Sequence, residues 1–192
     1  MNSNNININL NGNADNLDQL INKMKREDNR NRGMFKRMSI LYFIMVFIYS
    51  GLLIVNPDKG ITTAYRLSGV CYVLSFLIGG YYFWRYHLEL GKLNYSESLL
   101  TVLKKAVNRY KLFNVRQIPM LFVIILIDIG ITISHVANHE YKTLSKLEVI
   151  LIIQGIYYLA MLISFFIGYF IWRKRSKPIY LESLKLIKEL EN

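Results

Sequence analysis

The chain has 192 residues, 53% of them hydrophobic, with a formal net charge of +11 and one cysteine. A single thiol, Cys71, excludes an internal disulfide. The charge does not point to nucleic acid, because the cations gather at the ends of apolar runs rather than along a stripe.

Residues 1–12 are rich in asparagine and offer little to bury, so a disordered tail is expected. From 13 to 37 an amphipathic helix and a basic linker follow. Leu17, Leu20, Ile21 and Met24 recur at i, i+3, i+4 and i+7, and the helix turns basic toward its C-terminal end. The first apolar run, Met38–Val55, carries no charge. At about 1.5 Å per residue it covers roughly 27 Å, close to the hydrocarbon thickness of a bilayer. It lies too far from the start and is too long for a cleaved signal peptide.

Asn56-Pro57-Asp58-Lys59-Gly60 reads as a tight turn. A second span over 66–84 ends in Trp84 and Arg85, an aromatic and basic interface anchor. A second amphipathic helix is expected at 96–111, with Leu99, Leu103, Ala106, Val107 and Tyr110 on one face. A third span runs over 118–137, with Pro119 in its first turn. A fourth runs over 148–172 and ends in a second anchor pair, Trp172 and Arg173. Ser176-Lys177-Pro178 is expected to break that helix, so that 173–192 forms a separate amphipathic helix.

The expected fold is therefore an all-α integral membrane protein with four transmembrane helices and short cytoplasmic amphipathic helices. Twenty of the 24 Lys and Arg residues lie before the first span, between the second and third, or after the fourth. That asymmetry predicts an inner-membrane protein with both termini and the middle segment cytoplasmic, in contact with anionic lipid.

An internal echo supports two parallel-repeated hairpins. Gly80-Tyr81-Tyr82-Phe83-Trp84-Arg85 returns as Gly168-Tyr169-Phe170-Ile171-Trp172-Arg173, and Tyr95-Ser96-Glu97-Ser98-Leu99 as Tyr180-Leu181-Glu182-Ser183-Leu184. Both units cross twice, so their symmetry axis would run along the membrane normal. Duplications of this kind make a homodimer an expected assembly.

Asp128 is the one carboxylate deep within a span, and its repeat counterpart is Tyr49. Such a group costs about 2.5–3.5 kcal/mol on insertion scales and requires a partner, for which Gln154, Ser50, Ser75 or a tyrosine across the bundle is a candidate. Either an ion or proton site or a hydrogen-bonded packing pair accounts for it. His135 and His139 have the i, i+4 spacing of a metal pair, but interfacial histidines explain them equally, and no metal or cofactor is expected. Nucleophile elbows, phosphate loops and Cys-x-x-Cys pairs are missing from the sequence, so no enzyme is expected.

The stretch from Asn56-Pro57-Asp58 through Tyr65-Arg66-Leu67-Ser68-Gly69-Val70-Cys71-Tyr72-Val73-Leu74 to Arg109-Tyr110-Lys111-Leu112-Phe113 resembles a group of uncharacterised small four-span membrane proteins of Bacteroidetes. Some of that group are encoded beside extracytoplasmic-function sigma factors, which implies an anti-sigma or other regulatory role. The expected function is a non-enzymatic scaffold that holds a cytoplasmic partner through Leu17, Leu20, Ile21 and Met24. The alternative is a small transporter or channel subunit using Asp128.

Overall fold

The computed structural model describes residues 4–58, 60–136 and 145–191, with side chains described from residue 16 onward. Helix α1 runs Asn4–Tyr49 and widens into a π-helical segment, Ser50–Val55. Helix α2 spans Thr63–Gly91, α3 Leu99–Tyr110, α4 Ile118–Val136 and α5 Lys146–Glu191. No strand occurs among the described residues, and four of the helices are long and apolar enough to cross a membrane.

Two boundaries differ from the sequence expectation. Residues 4–12 and the basic stretch before Met38 are drawn into one continuous α1 of 46 residues, with no linker. Likewise α5 passes through Pro178 without ending and is also 46 residues long. Proline removes the bond to the carbonyl of Lys174 and crowds it. Packing beyond the proline outweighs that loss, because Ile179 is completely buried immediately after it.

The loop ends of the spans are closed by local side chains. Asn56 Oδ1 accepts from the Asp58 N–H, and Arg66 donates to the carbonyls of Ile54 and Asn56 at 2.6 and 2.9 Å. Those carbonyls belong to the end of the π-helical segment, where a helix leaves acceptors open. At the start of α5, Ser145 and Glu148 form a reciprocal capping box, each side chain bonded to the other's backbone N–H.

Close approach and aromatic packing join α1 to α2. Phe35, Tyr42 and Tyr49 recur every seven residues on α1 and meet Phe83, Phe76 and Tyr72 of α2 at ring-centroid distances of 5.2–5.9 Å. Gly79 and Gly80 let this happen: a Cβ on Gly79 would sit in the Tyr42 ring, and one on Gly80 would lie 3.2 Å from Phe43. The Ser39 hydroxyl, fully buried, donates to the Gly80 carbonyl at 3.0 Å. Helix α2 then packs on α4, where Gly130 leaves room for the Tyr72 ring.

Around the two echoed glycines the surroundings diverge. Gly80 is covered by Phe43, whereas a side chain at Gly168 would meet nothing within 4 Å. No residue of the most apolar window of α5 is buried, so the α2–α4 packing has no α5–α1 equivalent there. The spans stand in the order α1, α2, α4, α5.

At the basic end, the first part of α1, α3 and the last part of α5 form a three-helix bundle. Its core is Leu20 and Met24 with Val102, Leu103, Ala106 and Tyr110, closed by Ile179 and Ile187. The spacing of these residues puts one apolar stripe on each helix, and the stripes face one another.

Candidate functional site

Two polar constellations and one cavity are the candidates. The first lies between α1 and α3. Asp28 falls four residues after Met24, on the helix face that enters the bundle, and is only 3% exposed. Four donors converge on its carboxylate: the hydroxyls of Tyr95 at 2.5 Å and Tyr110 at 2.8 Å, and Arg109 through Nε at 3.1 Å and Nη2 at 2.7 Å. Burial first, and then the hydrogen bond to Asp28 and its charge, raise the pKa of both tyrosine hydroxyls, which keeps them as donors. Four donors fill the acceptor directions of the carboxylate, so Asp28 clasps α1 to α3 and to the Tyr95 segment before it. Sequence reasoning missed it; the signal was a carboxylate in register with Leu17, Leu20 and Met24.

The expected docking residues take part in the same bundle. Leu20 and Met24 are buried in its core, so they are not open to a partner in this conformation, while Leu17 and Ile21 are half-buried. The reason is physical: α3 and the end of α5 present matching apolar stripes within the same chain, at an effective concentration no separate partner reaches.

The second constellation lies between α4 and α5. Here Asp128 and Gln154, expected as partners, are brought together: Gln154 Nε2 donates to Asp128 Oδ1 and to Thr132 Oγ1, both at 2.8 Å. The Tyr158 hydroxyl donates to Asp128 Oδ2 at 3.3 Å, and Tyr157 donates to the Ile124 carbonyl at 2.8 Å. Oε1 of Gln154 is buried and accepts no hydrogen bond in the structure. No ion pair reaches Asp128 among the described residues.

Between these two sites, where α5 leaves the bundle, lies a cavity of about 670 Å3. One wall is aromatic, with Phe35 and Tyr82 opposite Phe165, Tyr169 and Trp172. The charged part of the lining comprises Lys105, Arg109, Lys111 and Arg116, with the carboxylates of Asp28 and Glu89. The interface anchors diverge here. Trp172 donates its indole N–H to the Tyr110 carbonyl at 2.8 Å, while Trp84 is exposed and Arg85 pairs with Glu89. Arg173 is exposed.

His139 lies outside the described residues, and among those described no group of three or more His, Cys, Asp or Glu is placed to hold a metal. No protein-family model matches the chain, and neither does any curated protein or solved structure.

Proposed function

We propose that the protein is a non-enzymatic regulator or scaffold of the bacterial inner membrane, with both termini cytoplasmic, that presents a three-helix bundle to a soluble partner. The observation that carries this reading is continuity: α1 and α5 each run unbroken from an apolar span into the bundle. A displacement of either span is therefore delivered to the bundle as a rigid-body movement rather than lost in a flexible link. The charge asymmetry supports the orientation, and a sigma factor is the partner class that the Bacteroidetes resemblance suggests.

The docking surface in this reading is the outer face of the bundle, where Leu181, Lys185 and Lys188 are exposed on one side of α5, and not the Leu20 and Met24 face. Site-specific photo-crosslinking from Asn22, Leu181 and Lys188 in the full-length membrane-embedded protein tests it. A defined protein adduct at Lys188, lost on Leu181→Glu while the bundle stays folded, is expected; adducts to lipid alone overturn it.

A second reading, a small transporter or channel subunit, is favoured by one observation: the unsatisfied Gln154 Oε1 beside Asp128 within the α4–α5 pair. Ion or proton flux in proteoliposomes that disappears with Asp128→Asn is its expected signature. Absence of flux in the wild type removes it.

A further inference from the structure

We infer that the cavity beside α5 is a binding site for an anionic phospholipid, with the headgroup at the basic rim and an acyl chain against the aromatic wall. The inference rests on the reading of the chain as membrane-spanning. Its volume, about 670 Å3, falls in the range of about 300–1,000 Å3 usual for ligand sites.

Charge selects the headgroup. Four lining cations meet two lining carboxylates, and three of the cations are paired: Lys105 with Glu97 from outside the lining, Arg109 with Asp28, and Arg116 with Glu89. Lys111 is exposed and has no ion pair among the described residues. Arg116 holds Glu89 at 3.2 Å through one nitrogen, and Arg109 engages Asp28 through Nε and Nη2. Guanidinium N–H groups beyond those bonds and the Lys111 ammonium form a phosphate-seeking rim.

The aromatic wall selects an amphiphile over a free anion. Phe165, Tyr169 and Trp172 stand along one side of α5, on the side that turns toward α2. Leu162, one turn before Phe165 on α5, is an exposed apolar residue, as are Phe166 on α5 and Leu121 and Phe122 on α4. A chain leaving the cavity in this direction stays on apolar surface throughout, as a lipid tail requires. A free phosphate would leave that wall wet.

Two glycines supply a controlled test. Gly168 lines the cavity and Gly155 does not, yet a Cβ on either meets nothing within 4 Å, so neither backbone position is closed to a side chain. Full-length protein is taken from nanodiscs of equal phosphatidylglycerol and phosphatidylcholine and examined by native mass spectrometry. The wild type should retain phosphatidylglycerol about fivefold over phosphatidylcholine, the preference worth one well-placed cation. Gly168→Leu should fill the cavity and Lys111→Glu should reverse part of the rim, each bringing the ratio near unity, while Gly155→Leu leaves it intact. Amide exchange of α3 checks that each variant keeps its bundle. Equal retention of the two lipids by the wild type, or a preference untouched by Gly168→Leu, overturns the inference. So does release of the bound species by excess inorganic phosphate, which would identify a soluble-anion site.

Discussion

Replacing Asp28 with asparagine isolates the clasp that holds the bundle together. Each carboxylate oxygen faces one tyrosine and one arginine donor: Oδ1 takes Tyr110 and Arg109 Nε, Oδ2 takes Tyr95 and Arg109 Nη2. Whichever way the asparagine amide is placed, its NH2 meets one hydroxyl, which can rotate to accept, and one guanidinium N–H, which cannot. The charge is also lost, leaving Arg109, whose side chain is 19% exposed, beside an uncompensated site. Breaking a buried pair in this way costs about 3–5 kcal/mol. Set against a total of about 5–15 kcal/mol for a domain, that is enough to open the bundle often without unfolding the spans. Hydrogen exchange of the α3 amides in lipid nanodiscs should therefore accelerate by roughly two to three and a half powers of ten. Tyr95→Phe removes a single donor and should accelerate it by only about tenfold. Asp28→Leu and Arg109→Met combined with Tyr95→Phe and Tyr110→Phe removes both charges and both hydroxyls that would otherwise be stranded, and should restore most of the protection, because matched apolar residues replace a buried polar cluster at little cost. An α3 exchange rate in Asp28→Asn within about threefold of wild type would refute the clasp.

Three further outcomes follow from the helix contacts. A Cβ at Gly130 would lie 2.7 Å from the Tyr72 ring, so Gly130→Val should separate α2 from α4 and lower the thermal midpoint in detergent, while Gly33→Ala, in open space, should leave it unchanged or raise it. Pro178→Ala returns an N–H to the Lys174 carbonyl in an unbroken helix and should stabilise α5 by about 1 kcal/mol or more, seen as slower exchange over residues 179–182. Asp128→Leu takes the acceptors from Gln154 and Tyr158 and should weaken the α4–α5 pair by about 1–2 kcal/mol, whereas Asp128→Asn, which keeps one acceptor, should cost less than half of that.

The four apolar runs were readable because each is longer and more apolar than a soluble core helix requires, and hydropathy alone marks them. The Asp128–Gln154 pair was readable for the same reason, since a carboxyl within a span must find a partner. Helix ends were harder. Pro178 carries a strong local stop signal, and only the burial of Ile179, Ser183 and Ile187 against α3 overrides it. No local pattern reports that three amphipathic stripes will find one another. Each stripe taken alone fits a lipid surface, a foreign protein or its own chain equally well, and Leu20 and Met24 belong to the last case. Asp28 escaped notice because the run Lys25-Arg26-Glu27-Asp28-Asn29-Arg30 resembles a solvated surface.

Along α5 the physics of cohesion inverts. In its first half, read as lying in lipid, apolar side chains gain nothing by meeting one another, since lipid tails are equally apolar. There the helix is held to α4 by polar groups, Gln154 on Asp128 and Thr132 and Tyr157 on a backbone carbonyl, while its leucines, isoleucines and phenylalanines stay bare. In its last turns, beyond Trp172, water restores the hydrophobic drive, and the buried contacts are Ile179 and Ile187. Between the two regimes neither force acts strongly, and that is where α5 separates from its neighbours and the cavity opens. A charged rim over an aromatic wall at that level is what the transition leaves behind: cations drawn toward water at one edge, rings at the other. The cavity thus follows from two modes of helix packing meeting on one unbroken helix, and a ligand with one charged and one apolar end is the complement that such a boundary selects.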